Sequence, residues 1–284
     1  MMRILLGKMG FQRLAERRGF PVPRGVRLTL NDDGGAAKLR YPCVVKPTTK
    51  DPRWAREFRK AYKVGEVAEV AMLWDRMCKI VSEVIVQEWI EGDDSDVYFC
   101  LQYRAPAGGP VTSFVGQKLR QWPPLVGGTA SCVAAPEAAA ELEDLTNRFF
   151  GSVGMVGLCS MEYKRDRRDG RFYMVEPTVG RTDFQEEIAT LNGVNIPLAA
   201  YCGELGLPLP PLRRTRRAVG WRDPIGDSQA QAVSGTAVVK PGVALRNAYW
   251  RWYDPMPFVA LQLERARGRW SRLRGRRRQA LNAN

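Results

Sequence analysis

Apolar residues recur along this 284-residue chain with two periods, and the switches between them mark its elements. Residues 4–18 read as a helix ended by Gly19, and Pro21 and Pro23 then force an extended path. After a polar turn at 31–35 comes an apolar strand over 43–46, closed by Lys46 and Pro47. The basic stretch 48–65 has a weak strand pattern and reads as a flap over the core. Over 66–82 the period is helical, with Val67, Val70, Ala71, Trp74, Met77, Cys78 and Val81 on one face. A buried strand follows at 84–89, then Ile90-Glu91-Gly92 and the acids Asp93, Asp94 and Asp96.

Strands at 97–103 and 111–117 form a hairpin, and Lys118 and Arg120 open a Pro- and Gly-rich loop that runs to Ser131. The glycines at 127–128 leave that loop open to two readings, a pocket lining or a plain tight turn. A core helix is predicted over 137–151, and a closing helix over 193–206, after the stretch 184–192. At Pro208 the composition changes to PLPPLRRTRR, a linker that predicts a domain boundary. Beyond it, 218–221 and 236–239 read as strands. Over 258–273, Val259, Leu263, Ala266, Trp270 and Leu273 form a helical stripe among arginines, interrupted by Gly268.

The chemistry gathers between Met155 and Glu187. Strands at 158–163 and 171–176 flank the turn RDRRDG, and each carries a carboxylate, Glu162 and Glu176. Period-two alternation puts Glu162 with Ser160 and Leu158, and Glu176 with Met174 and Phe172. If those faces coincide, two acids point the same way out of an apolar sheet and need a compensating cation; Mg²⁺ suits such oxygen ligands. Two unrelated strand-end acids remain the plainer reading. Lys46 is open in the same way, as an edge solubiliser or as an ammonium aimed at a phosphate.

Composition narrows the classes. The chain holds no histidine and its six cysteines are widely spaced, which excludes the common zinc sites and Ser-His or Cys-His nucleophiles. Catalysis therefore falls to carboxylates, Lys, Arg and a metal. The cysteines read as reduced core thiols of a cytoplasmic protein. No segment approaches the roughly 20 apolar residues of a membrane span. The net charge of +14 is uneven: residues 264–278 hold eight Arg against one Glu, and Arg213, Arg214, Arg216, Arg217 and Arg222 form a second cluster. The stretch 258–278 leaves open a solvated basic face or peripheral contact with a membrane or an anionic polymer. No specific nucleic-acid motif is present.

Taken in order, Lys46, the strand Gln87-Glu88-Trp89-Ile90-Glu91-Gly92, Lys118, and the pair Glu162 and Glu176 resemble the ATP-grasp superfamily over residues 8–205, in particular its carboxylate–amine ligases. The resemblance implies an α+β fold in which two α+β subdomains, about 1–88 and 89–205, grip ATP. Residues 206–284 then form a basic C-terminal extension, and the usual N-terminal α/β domain is expected to be missing.

It also implies roles. Lys46 touches the α- and β-phosphates, the backbone of Glu88 and Ile90 binds adenine, and Asp94, with Asp93 and Asp96 as alternatives, holds the ribose. Lys118 and Arg120 face the γ-phosphate and acyl phosphate, and Arg181 holds a substrate carboxylate or stabilises the tetrahedral intermediate. Glu162, Glu176 and Thr178 ligate Mg²⁺ or Mn²⁺, with Thr178 standing where the family usually has Asn. The implied reaction is ATP-dependent activation of a small-molecule carboxylate for attack by an amine. Three alternatives stay open: a relative that binds nucleotide without turnover, an ATP-grasp kinase that phosphorylates its acceptor without ligation, and an anionic-surface binder acting through the Arg-rich tail.

Overall fold

The apolar strand expected at 84–89 lies inside the first of two sheets. The computed structural model describes residues 2–31, 34–48, 52–106, 108, 110–212, 218–234 and 242–267. In it β1 (Gly25–Thr29), β2 (Cys43–Pro47), β3 (Tyr62–Val64) and β4 (Glu83–Glu88) form an antiparallel sheet in the order β1-β4-β2-β3. Val84, Ile85 and Val86 are wholly buried because β4 has a strand on either side. The helix Val67–Met77 covers one face through Val70 and Met77, while Val67, expected on that face, is exposed. The stretch expected as a flap is part of this core where it is described: Trp54 and Phe58 are buried in it, and the Trp54 indole N–H donates to the Arg59 carbonyl.

The second sheet has seven strands: β5 (Val97–Arg104), β6 (Pro110–Trp122), β7 (Gly128–Ala134), β8 (Gly157–Arg165), β9 (Phe172–Val179), β10 (Val219–Arg222) and β11 (Ala244–Asn247). Their order is β11-β10-β7-β6-β5-β8-β9, and only β10 and β11 run parallel. β5 is buried along its whole length and serves two cores by alternation. Tyr98 and Cys100 face the helices Lys8–Arg17 and Pro136–Ser152; Phe99, Leu101 and Tyr103 face Glu187–Leu191 and Ile196–Glu204.

The N-terminal pattern gives two helices, Met2–Leu6 and Lys8–Arg17, separated at Gly7. Past the Pro-rich stretch the chain returns to the same sheet: Trp221, wholly buried, stands opposite Cys132 of β7. The expected loop over 128–131 is the start of β7, set by Gly127, where a Cβ would lie 2.1 Å from the Trp122 carbonyl carbon. The strand expected at 236–239, the cluster Arg213–Arg217 and the end of the basic helix lie outside the described residues. Helix is described over 256–267. No helix among the described residues is long and apolar enough to cross a membrane.

Candidate active site

Between the two sheets lies a cleft of about 850 Å³. The first sheet contributes Lys46 because β2 alternates: Cys43 and Val45 enter the core, while Val44 and Lys46 line the cleft. Lys46 makes no hydrogen bond or ion pair among the described residues. Burial lowers its ammonium from the ordinary 10.5 to about 8; Glu176 and Glu162 pull the other way, and Lys8 and Lys60 add to the lowering.

The segment Gln87–Ile90 forms the wall where the sheets meet. The Glu88 N–H donates to the Arg24 carbonyl and the Trp89 N–H to the Pro42 carbonyl, both at 2.9 Å. Neither the Glu88 carbonyl nor the Ile90 N–H has a backbone partner outside the strand ladders among the described residues. The turn RDRRDG reaches across to hold this wall: Arg168 donates to the Trp89 carbonyl at 3.1 Å and pairs with buried Asp166, and the Arg167 N–H donates to the Glu91 carbonyl. Arg167 also pairs with Asp93 and Asp96 at 2.7 Å each. Gly92 completes the bend at φ 143°, where a Cβ would meet the Asp96 side chain. Lys63 and Lys164 lie 4.7 and 4.3 Å from the Trp89 ring centroid, and burial lowers the Lys164 ammonium.

Glu162 and Glu176 stand directly opposite each other on β8 and β9, and Ser160 stands opposite Thr178. All but Ser160 line the cleft. Alternation alone would have kept Glu176 on the face of Met174. A bulge at Val175 overturns that expectation: Met174 is buried in the core, and Val175 and Glu176 both reach the cleft.

A second bulge separates Lys118 from Arg120. Lys118 pairs with Cys132 and Arg120 with Ser131, so Leu119 is the extra residue and the two cations leave β6 on opposite faces. Lys118, 1% exposed, donates to Glu162 at 2.5 Å and to Gln121 at 3.2 Å. Arg120 turns away from the cleft to a buried ion pair with Asp227 at 2.7 Å, on the helix Pro224–Ser234. The expected place of Arg120 at the phosphates is therefore not what the structure shows.

Asp94 is also drawn elsewhere. Its carboxylate accepts from the Gln121 and Leu125 N–H groups at 2.8 and 2.7 Å and from the Gln121 side chain at 3.1 Å. None of Asp93, Asp94 and Asp96 lines the cleft; Gln121 does, fixed by Asp94 on one side and Lys118 on the other. Arg181 lines the rim, exposed, and donates to the Thr182 carbonyl.

Sequence reasoning missed Gln121, Lys164, the Asp166–Arg168 clasp and Asp183. The last accepts from the Ser160 hydroxyl at 2.8 Å; burial raises its carboxyl above the usual range, and the Ser160 and Thr178 hydroxyls hold it back. The sequence signal for Gln121 is its spacing of three from Lys118, visible only once the bulge is known.

Among the described residues no group of three or more His, Cys, Asp or Glu is placed to hold a metal. The donor set is two opposed carboxylates and a hydroxyl, with one ammonium compensating. It fits Mg²⁺, which takes one or two carboxylates and completes its shell with phosphate oxygens and water.

No protein-family model matches the chain. Among curated proteins it is similar to the D-alanine–D-alanine ligase of Ectopseudomonas mendocina, at 26% identity over 186 residues (63% of this chain, 58% of that protein). It is also similar to the D-aspartate ligase of Enterococcus faecium, at 24% over 204 residues (68% and 48%). The chain spans about half the length of these relatives. Among solved structures, it matches the ADP complex of N5-carboxyaminoimidazole ribonucleotide synthetase with TM-score 0.60 and 15% identity, over 76% of this chain and 55% of that one. The biotin carboxylase domain of Hydrogenobacter thermophilus 2-oxoglutarate carboxylase, solved with MgADP, ADP and bicarbonate, matches with TM-score 0.61 and 15% identity over 76% and 49%. At such identities the structural matches speak for the fold.

Proposed function

The chain belongs to the ATP-grasp superfamily, and from that premise we propose that it is an ATP- and Mg²⁺-dependent ligase that activates a carboxylate for attack by an amine. The observation that carries this reading is the convergence of Lys46, the Glu88–Ile90 backbone and the opposed Glu162 and Glu176 on one cleft between two sheets. In this reading the Glu88 carbonyl and Ile90 N–H take the adenine edge, held in place by the Arg168 clasp. Lys46 takes the phosphates. Glu162, Glu176 and Thr178 would hold Mg²⁺ or Mn²⁺, which when bound neutralises charge on the transferring group. Lys118 keeps Glu162 aimed into the cleft, and Arg181 at the rim meets the carboxylate substrate.

The chemistry needs no protein nucleophile. A carboxylate oxygen attacks the γ-phosphorus of the co-substrate ATP, the β–γ P–O bond breaks, and ADP leaves. The amine nitrogen then attacks the acyl carbon, the C–O bond to phosphate breaks, and the nitrogen loses a proton. Positioning and charge neutralisation are the protein's part, and the cleft supplies both. Curated relatives named for D-alanine and D-aspartate support small amino acids as the first acceptors to test.

Oxygen-18 transfer tests the reading. With a carboxylate labelled at both oxygens, an acyl-phosphate route puts one label into the released phosphate. ADP formed without label transfer contradicts it. The withdrawal of Arg120 to Asp227 supports a second reading, a relative that binds nucleotide without turnover. Mg²⁺-ATP binding with no ADP release across the acceptors selects that one.

A further inference from the structure

The last described stretch, 248–267, carries large apolar side chains into solvent. Trp252 is 85% exposed, Tyr253 70%, Met256 64% and Leu263 54%. The Trp252 and Tyr253 rings brace each other edge to face, with centroids 5.7 Å apart. The helix over 256–267 is attached by one side: Phe258 packs edge-on against Trp250 at 5.4 Å, and Leu261 beside it is half-buried. Met256, Val259 and Leu263 are exposed and spaced by three and four. At the helical repeat they fall within an arc of about 60°, on the side away from Phe258 and Leu261. Hydrophobic burial within the described fold does not account for this stripe.

Charge says what meets it. From residue 246 to 284 the sequence holds ten arginines, two acids (Asp254 and Glu264) and no lysine; Arg246, Arg265 and Arg267 are exposed, Arg251 pairs with Glu187, and the other six lie outside the described residues. Trp and Tyr favour the headgroup level of a bilayer, aliphatic side chains gain by leaving water there, and guanidinium groups pair with lipid phosphates. A nucleic acid would engage the arginines and rings but give the aliphatic stripe nothing to bury against.

We propose that this face docks on an anionic lipid surface, with Trp252, Tyr253 and the stripe of Met256, Val259 and Leu263 entering the headgroup layer and the neighbouring arginines meeting the lipid phosphates. The helix lies on the surface. The proposal rests on these residues alone and is independent of the nucleotide reading.

The test is co-sedimentation of the full chain with phosphatidylcholine vesicles, with and without phosphatidylserine. Wild type pellets with the anionic vesicles. The variant Trp252→Ser/Tyr253→Ser, and separately Leu263→Glu, bind about tenfold more weakly or worse, while unfolding midpoints and Mg²⁺-ATP binding stay as in wild type. Brominated lipid quenches a part of the tryptophan emission that Trp252→Ser removes. Four results overturn the proposal. These are no binding to anionic vesicles, binding that all these variants retain, a preference for RNA or DNA over vesicles, and self-association through this face that vesicles do not reverse.

Discussion

Replacing Asp227 with alanine separates a structural part for Arg120 from a catalytic one. Both partners are nearly dry, Arg120 at 5% and Asp227 at 3% exposure, and their atoms meet at 2.7 Å. Arg120 already has one buried nitrogen, Nη1, without a hydrogen-bond partner, so it has no reserve when Asp227 is lost. The second cation near Asp227, Arg222 at 4.0 Å, is 45% exposed at its side chain and can turn to water. The cost is therefore that of one guanidinium stranded in the interior, about 3–5 kcal/mol. At roughly 2–4 °C per kcal/mol for a chain of this size, the melting midpoint falls by about 10 °C. The double variant Arg120→Met/Asp227→Leu removes both charges and recovers most of that loss. Urea titration and thermal unfolding read both effects, and calorimetry of the double variant with Mg²⁺-ATP reads function. Loss below about 1 kcal/mol in Asp227→Ala refutes the buried-pair argument. Loss of nucleotide affinity in the well-folded double variant refutes the claim that Arg120 lies outside the site.

Other perturbations probe the cleft itself. Burial brings the Lys46 ammonium down to about 8, and only the ammonium attracts phosphate. Mg²⁺-ATP affinity is thus flat below about pH 8 and falls above it, by at most about tenfold per unit, and Lys46→Met abolishes the dependence. Stability runs the other way: between about 8 and 10.5 the unfolded chain holds a proton that the folded one has released, so wild type gains on Lys46→Met as pH rises through that window. Arg168→Ala removes the guanidinium that donates to the Trp89 carbonyl and to buried Asp166, leaving Asp166 the backbone N–H of residue 168; stability drops by about 1–3 kcal/mol, and nucleotide affinity weakens because the adenine wall is no longer held. A loss of stability with unchanged affinity would sink the clasp's part in binding.

Much of this arrangement was legible because local pattern fixes it. The apolar run ending in Lys46, the strand through Glu88, and the two β-rich segments around RDRRDG are set by residues within a few positions of one another, and each appears where its period puts it. What alternation could not carry is a change of count. One extra residue at Leu119 sends Lys118 and Arg120 to opposite faces, and one at Val175 turns Glu176 from the core side to the cleft. The partner of Arg120 lies 107 positions away on a helix whose packing no local pattern announces. The partners of Asp94 are hidden for a different reason: a carboxylate near a bend serves backbone N–H groups as readily as a ligand, and here it accepts from Gln121 and Leu125. Local pattern marks RDRRDG only as the turn between two strands, yet Arg167 and Arg168 tie it to the wall of the cleft.

The most direct test of the central claim, that the cleft between the two sheets is a metal–nucleotide site, is calorimetric titration of ATP with and without Mg²⁺ into wild type, Lys46→Met and Glu176→Gln. One nucleotide binds per chain, binding depends on the metal, and affinity falls about tenfold or more in each variant. A folded wild type that binds no Mg²⁺-ATP would contradict that claim, as would binding that both variants leave unchanged.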